Sequence, residues 1–228
     1  MTPARVIDTQ RLSTLSHEHE REILQFFHDL TGNGQGIERI RHEVAKVPFG
    51  EVRIDPMGKF LARLGSGKHV LMMNAQGAAE TAGILYASRL IDELGMYDDF
   101  TLWVGNSPRM ECQGPAWLQG LKDAGIHPDC LLMAEPTNLC IKMREGTTEG
   151  FLTETHPLVE AAIATYETLF ELPPILSQAP SSGGPIGLPT IGFGPAEEQQ
   201  GIPTRHLLKA AQFYAAFPTM FSEKMKPQ

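Results

Sequence analysis

The sequence predicts an α/β domain: a mixed, mostly parallel sheet flanked by helices. Three observations carry that expectation. Short apolar runs recur at residues 70–73, 100–104 and 129–134, each of strand length and each closed by turn-forming residues. Between them lie segments with helical periodicity. The clearest follows the first run, where Ile84, Leu85, Ala87, Leu90, Ile91 and Leu94 oppose Arg89, Asp92 and Glu93. The runs are also too continuously apolar for a sheet with one wet face, so both faces need cover, as in sheets wrapped by helices.

Taken in order, residues 1–15 are polar and aperiodic, and read as a loose arm ahead of a single domain spanning 16–228. Ser16 is placed to cap a helix with Glu18 and Glu20 in its first turn and Ile23, Leu24, Phe27 and Leu30 as its buried stripe. The run Gly32 to Gly36 stops it, and a second helix is expected over 37–47. Residues 51–55 alternate apolar and charged, Pro56-Met57-Gly58 turns, and 59–64 returns as the other arm of a hairpin. Further helices are expected over 115–124, 157–170 and 205–217, with His156 ahead of Pro157 as a cap. Residues 139–143 are expected to pair beside 129–134, and 189–193 to be a last strand. Residues 172–188, rich in proline and glycine, read as loop.

Composition limits the functions available. The 228 residues are 42% hydrophobic and 20% charged, which suits one core, and the formal net charge is −8. That balance argues against nucleic acid or an anionic membrane as partner, because no basic cluster can neutralise phosphates. No apolar run reaches membrane-spanning length, and residues 1–15 lack the apolar block of a signal peptide. Cys112, Cys130 and Cys140 are an odd, widely spaced set with no Cys-x-x-Cys pair, so a disulfide framework is not expected and a cytoplasmic location is. No Gly-x-Ser-x-Gly nucleophile motif is present, and Ser181-Ser182-Gly183-Gly184 lacks the Lys-Ser/Thr of a phosphate loop.

Several stretches together resemble one family. They are Gly50 to Gly58, Gly65 to Met73, Leu94 to Leu102, Glu135-Pro136-Thr137-Asn138, His156 to Ala161, and Leu188 to Pro195. In this order they are similar to the catalytic domain of the di-zinc aminoacylases, acetylornithine deacetylases and succinyl-diaminopimelate desuccinylases, especially bacterial members linked to selenium metabolism. The resemblance implies a zinc-peptidase-like core. It also implies a site where histidines and carboxylates hold two zinc ions and a glutamate activates the metal-bound water.

The residues depart from that pattern where the chemistry lies. The Asp-x-His-x-Asp motif of the family falls on Asn74 to Ala78, so that Gln76 replaces its histidine and Ala78 its second aspartate. The general base and the adjacent ligand fall on Arg109 and Met110, with Glu111 one position late. The last histidine ligand falls on or near Ile202, with His206 a few positions beyond as a possible substitute. Glu135 alone keeps a ligand position, and one carboxylate cannot hold a catalytic zinc. Relatives insert a lid domain, often their dimer surface, where residues 144–155 stand here; so short a segment cannot form it, and a lid-mediated dimer is not expected.

The expectation is a non-catalytic core with no resident cofactor and no residue in a catalytic role. One alternative is a hydrolase of N-acyl amino acids or small peptides, with zinc held by Glu135, Glu111 and His206. Another is a small-molecule module in which Arg109 holds a carboxylate ligand.

Overall fold

The computed structural model describes residues 7–32, 36–96, 100–106, 115–147, 150–179, 187–196 and 201–225. Its strands are β1 (Glu51–Ile54), β2 (Phe60–Gly65), β3 (His69–Ala75), β4 (Phe100–Asn106), β5 (Cys130–Ala134), β6 (Ile141–Thr147), β7 (Gly150–Phe151), β8 (Leu176–Ala179) and β9 (Thr190–Phe193). The helices are α1 (Thr9–Glu18), α2 (Glu20–Thr31), α3 (Gly36–Val44), α4 (Ala78–Glu93), α5 (Pro115–Asp123), α6 (Pro157–Phe170) and α7 (Thr204–Lys224). The sheet order is β1-β2-β4-β3-β5-β9-β6-β7, with β8 beside β6. The centre is parallel: β3 pairs with β4 and β5, and β5 with β9. The β1–β2 hairpin and β6 join antiparallel at the two sides, so the expected mixed α/β architecture is the one observed.

The two-residue period of a strand divides each apolar run between two cores. Leu71 and Met73 of β3, Leu102 and Val104 of β4, and Leu132 and Ala134 of β5 join the large core under α4, α6 and α7. Met72, Trp103, Leu131 and Met133 turn to the opposite face, where Leu121 and Ile126 close a smaller core. Continuous apolar strands are therefore a consequence of cover on both faces. In the large core Phe193 stacks on Phe213 with ring centroids 3.8 Å apart, and Phe213 continues the stack to Phe217.

Five expectations are corrected by the tertiary structure. Residues 9–15 are not a loose arm: they belong to α1, capped by the Asp8 side chain, with Leu12 fully buried. Ser16 is therefore no cap, and its hydroxyl instead receives a hydrogen bond from Gln212 of α7. The strand containing 141–143 pairs with β9 rather than with β5, and it runs on to Thr147. Part of the expected 172–188 loop forms β8, which finds main-chain partners on β6 despite its proline-rich approach. The last helix extends seven residues past Phe217, to Lys224, because its apolar face is held against α4 and α6. His156 does cap α6, its Nδ1 accepting from the Leu158 N–H at 3.2 Å. β6 and β7 make a short antiparallel pairing.

Candidate functional site

In a doubly covered α/β sheet, ligands approach the carboxyl ends of the central strands. Here these ends are stitched side by side. The Gln76 N–H donates to Ala134 O at 3.1 Å, and the Glu135 N–H donates to Phe193 O at 3.1 Å. The backbone thus brings the ends of β3, β5 and β9 together, as the sequence motifs require. The side chains diverge.

Glu135 follows β5 and is 3% exposed. Its carboxylate lies across β9 and meets Arg144 of β6: Arg144 Nε donates to one oxygen at 2.7 Å and Nη2 to the other. The crossing is possible because position 192 is glycine. A Cβ there would stand 1.8 Å from Glu135 Oε1. Gly194 serves the same corner, since a Cβ on it would stand 2.2 Å from the Glu135 carbonyl oxygen and 2.9 Å from the Tyr214 hydroxyl. Tyr214 is fully buried beneath, donating to Phe193 O at 2.8 Å. Its phenol is pushed well above its ordinary range by burial, and further by the charges of Glu80 and Glu135.

The other half of the crevice is open. A cavity of about 650 Å³ lies between α2, α3, the β1–β2 turn and the junction of β3 with α4. Leu30, Ile37 and Ile40 line it on one side, and Lys59, Gln76 and Asn106 on the other. Asn106 is anchored by Oδ1, which accepts from the Phe60 N–H at 2.8 Å. The Gln76 carboxamide makes no side-chain hydrogen bond among the described residues. Asn74 is buried and looks to the opposite face, where a second cavity of about 610 Å³ includes Met72, Trp117 and Leu121.

The expected site residues therefore fall into three places. Gln76 and Ala78 line the first cavity, Asn74 the second, and Glu135 is closed into its pair with Arg144. Ile202 is half-buried against the large core. His206 starts α7 with a buried Nδ1 that lacks a hydrogen-bond partner. Burial and the neighbouring Arg205 and Lys209 push its pKa down. Arg109, Met110, Glu111 and Cys112 lie outside the described residues, as do Ser181 to Gly184. Arg144, Gly192 and Tyr214 were not singled out from the sequence, because Arg144 sits in an apparently featureless connector and the others look like ordinary core residues.

This donor set does not fit a di-zinc centre. Asn74 and Gln76 are neutral amides, Ala78 has no ligating atom, and both oxygens of the Glu135 carboxylate are engaged by a guanidinium. Among the described residues no group of three His, Cys, Asp or Glu side chains is placed to hold a metal ion. No described helix is long and apolar enough to cross a membrane.

No protein-family model matches the chain. It is 28% identical, over 136 aligned residues, to the uncharacterized protein YgeY of Escherichia coli (strain K12), a match that covers 45% of this chain and 34% of that protein. The chain thus matches about a third of the length of that relative. Among solved structures it is similar to LapA of Legionella pneumophila, with a TM-score of 0.68 at 10% identity, covering 96% of this chain and 78% of that one. Bacillus subtilis YXEP, described as a dinuclear metal binding peptidase from M20 family, gives 0.68 at 10% identity, covering 92% and 100%. The aminopeptidase PepT of Bacillus cereus gives 0.64 at 12% identity, covering 94% and 99%. The chain has the α/β fold of peptidase catalytic domains.

Proposed function

We propose that the chain is a non-catalytic, ligand-stripped relative of the di-zinc amide hydrolases. The observation that carries this reading is the Glu135–Arg144 pair. At the one position where the resemblance expects a surviving metal carboxylate, both oxygens are engaged by a fixed cation from β6, across a glycine that clears the way. A metal ion would have to displace that guanidinium and leave it buried without its counter-charge, which is costly. Gln76 and Ala78 supply no compensating ligands. Water without a metal is a poor nucleophile near neutral pH, so amide hydrolysis has no support from these residues.

The test is metal content. Protein purified without chelator is expected to carry well under one zinc per chain and to show no saturable zinc binding by calorimetry. Near-stoichiometric zinc, lost in Glu135→Gln, together with chelator-sensitive hydrolysis of N-acyl amino acids, would overturn the proposal and favour a rearranged site using Glu135 with Glu111.

A further inference from the structure

We propose that His156 is an acid-released catch: its neutral ring holds the first turn of α6 closed, and its protonation frees that turn and the connector that enters it from β7. The inference stands whether or not the chain binds a metal ion.

The start of α6 hangs on this one residue. Pro157 has no N–H to place. The Leu158 N–H donates to His156 Nδ1 at 3.2 Å, and the Val159 and Glu160 N–H groups donate to the His156 carbonyl oxygen at 2.8 and 3.0 Å. In the other direction the His156 N–H donates to Thr153 O at 3.0 Å, which ties the connector to the same point. Leu152 on one side and Leu158 and Val159 on the other are buried in the large core. The polar corner is thus stretched between two apolar anchors.

Helix caps are usually hydroxyls, amides or carboxylates, as Asp8 is for α1. An imidazole differs from these in changing its charge near neutral pH. A ring that accepts through Nδ1 carries its hydrogen on Nε2, so a second proton can go only to Nδ1. That proton removes the acceptor and sets a positive charge against the positive end of α6. Burial already pushes the His156 ring below the usual histidine pKa.

The surrounding charges are otherwise engaged or distant. Glu160 of α6 meets Lys224 of α7 at 3.2 Å, Glu223 precedes Lys224, and Glu154 lies in the connector. β6 brings Lys142 and Arg144, which reach Pro136 O and Glu135, while β9 carries no ionisable side chain. Arg205, His206 and Lys209 stand at the opposite end of α7, where Lys209 lies 4.7 Å from the Phe170 ring centre. With the folded value depressed, the cap is intact above the ordinary histidine value of 6.5. It is lost as pH falls from there through the lower, folded value.

The experiment is amide hydrogen exchange on the full chain between about pH 7.5 and about pH 5, corrected for the intrinsic rate at each pH. Protection at Leu158, Val159 and Glu160 is expected to drop several-fold on the acid side, while amides of α4 and β3 keep theirs. His156→Asn, a cap that does not titrate in this range, is expected to hold protection throughout. His156→Ala is expected to lack it at every pH, and Glu160→Gln to leave the acid loss unchanged. Ring spectra of the unmutated chain are expected to show the Nε2–H form, titrating below ordinary histidines. An acid loss of the same size in His156→Asn, parent-like protection in His156→Ala, protection indifferent to pH in the unmutated chain, or a ring titrating at or above the ordinary value would each overturn the proposal.

Discussion

The two halves of the strand-end crevice have parted company. On the β5–β9–β6 side a buried carboxylate and a guanidinium meet over two glycines, with Tyr214 packed beneath. On the β3–β4 side neutral or small residues stand at the strand ends and a cavity opens beside them. One half carries a buried ion pair whose separation would be expensive, while the other carries the neutral amides Gln76 and Asn106, whose loss uncovers no buried charge. The closed half should therefore respond to mutation as structure, and the open half as a place where a ligand can be accepted without unfolding anything.

Substitutions can break or sharpen that contrast. The largest effect is expected from Arg144→Met, which leaves Glu135 buried and uncompensated and should cost about 3–5 kcal/mol in urea unfolding. The double variant Glu135→Leu with Arg144→Met should recover most of that loss, because an apolar pair of similar size removes both charges together. If the single variant costs nothing, the pair is not what closes this half. Gly192→Ala is next, at roughly 2–3 kcal/mol, since its Cβ must expel the carboxylate from above β9; midpoint shifts at constant denaturant slope would measure it.

On the open side the expected costs shrink. Asn106→Ala removes the acceptor for the Phe60 N–H and should lose about 1 kcal/mol, loosening the β1–β2 hairpin that borders the cavity. Hydrogen exchange at Phe60 reports on this directly. Gln76→Ala should change stability by less than about 0.5 kcal/mol, since the carboxamide makes no side-chain hydrogen bond among the described residues. A larger loss there would mean that Gln76 belongs to the framework and would erase the distinction between the two halves.

Much of the framework was legible before any coordinates. Each apolar run of strand length became a strand, and the helical run from Ile84 to Leu94 falls on α4 (Ala78–Glu93) and its cap, since hydrophobic period and turn chemistry are local signals. The errors share one cause. The arm at 9–15 and the loop containing 176–179 gained structure from distant partners, α7 against the helix that buries Leu12 and Ile141 to Arg144 on β6 respectively. That Asn74, Gln76 and Ala78 offer no carboxylate or imidazole was equally readable, because it is a matter of residue identity.

The sequence by itself determined most of the strands and helices and the neutral character of Asn74, Gln76 and Ala78, since both follow from side-chain chemistry and local spacing. Only the tertiary structure decided what the buried carboxylate of Glu135 meets. Its partner lies nine positions along the chain, on a strand two places away in the sheet, and the path between them exists because the intervening strand carries a glycine. Long-range pairing across a sheet leaves no periodic trace in a sequence, so a connector arginine and a core glycine gave no sign that together they would close half of the crevice.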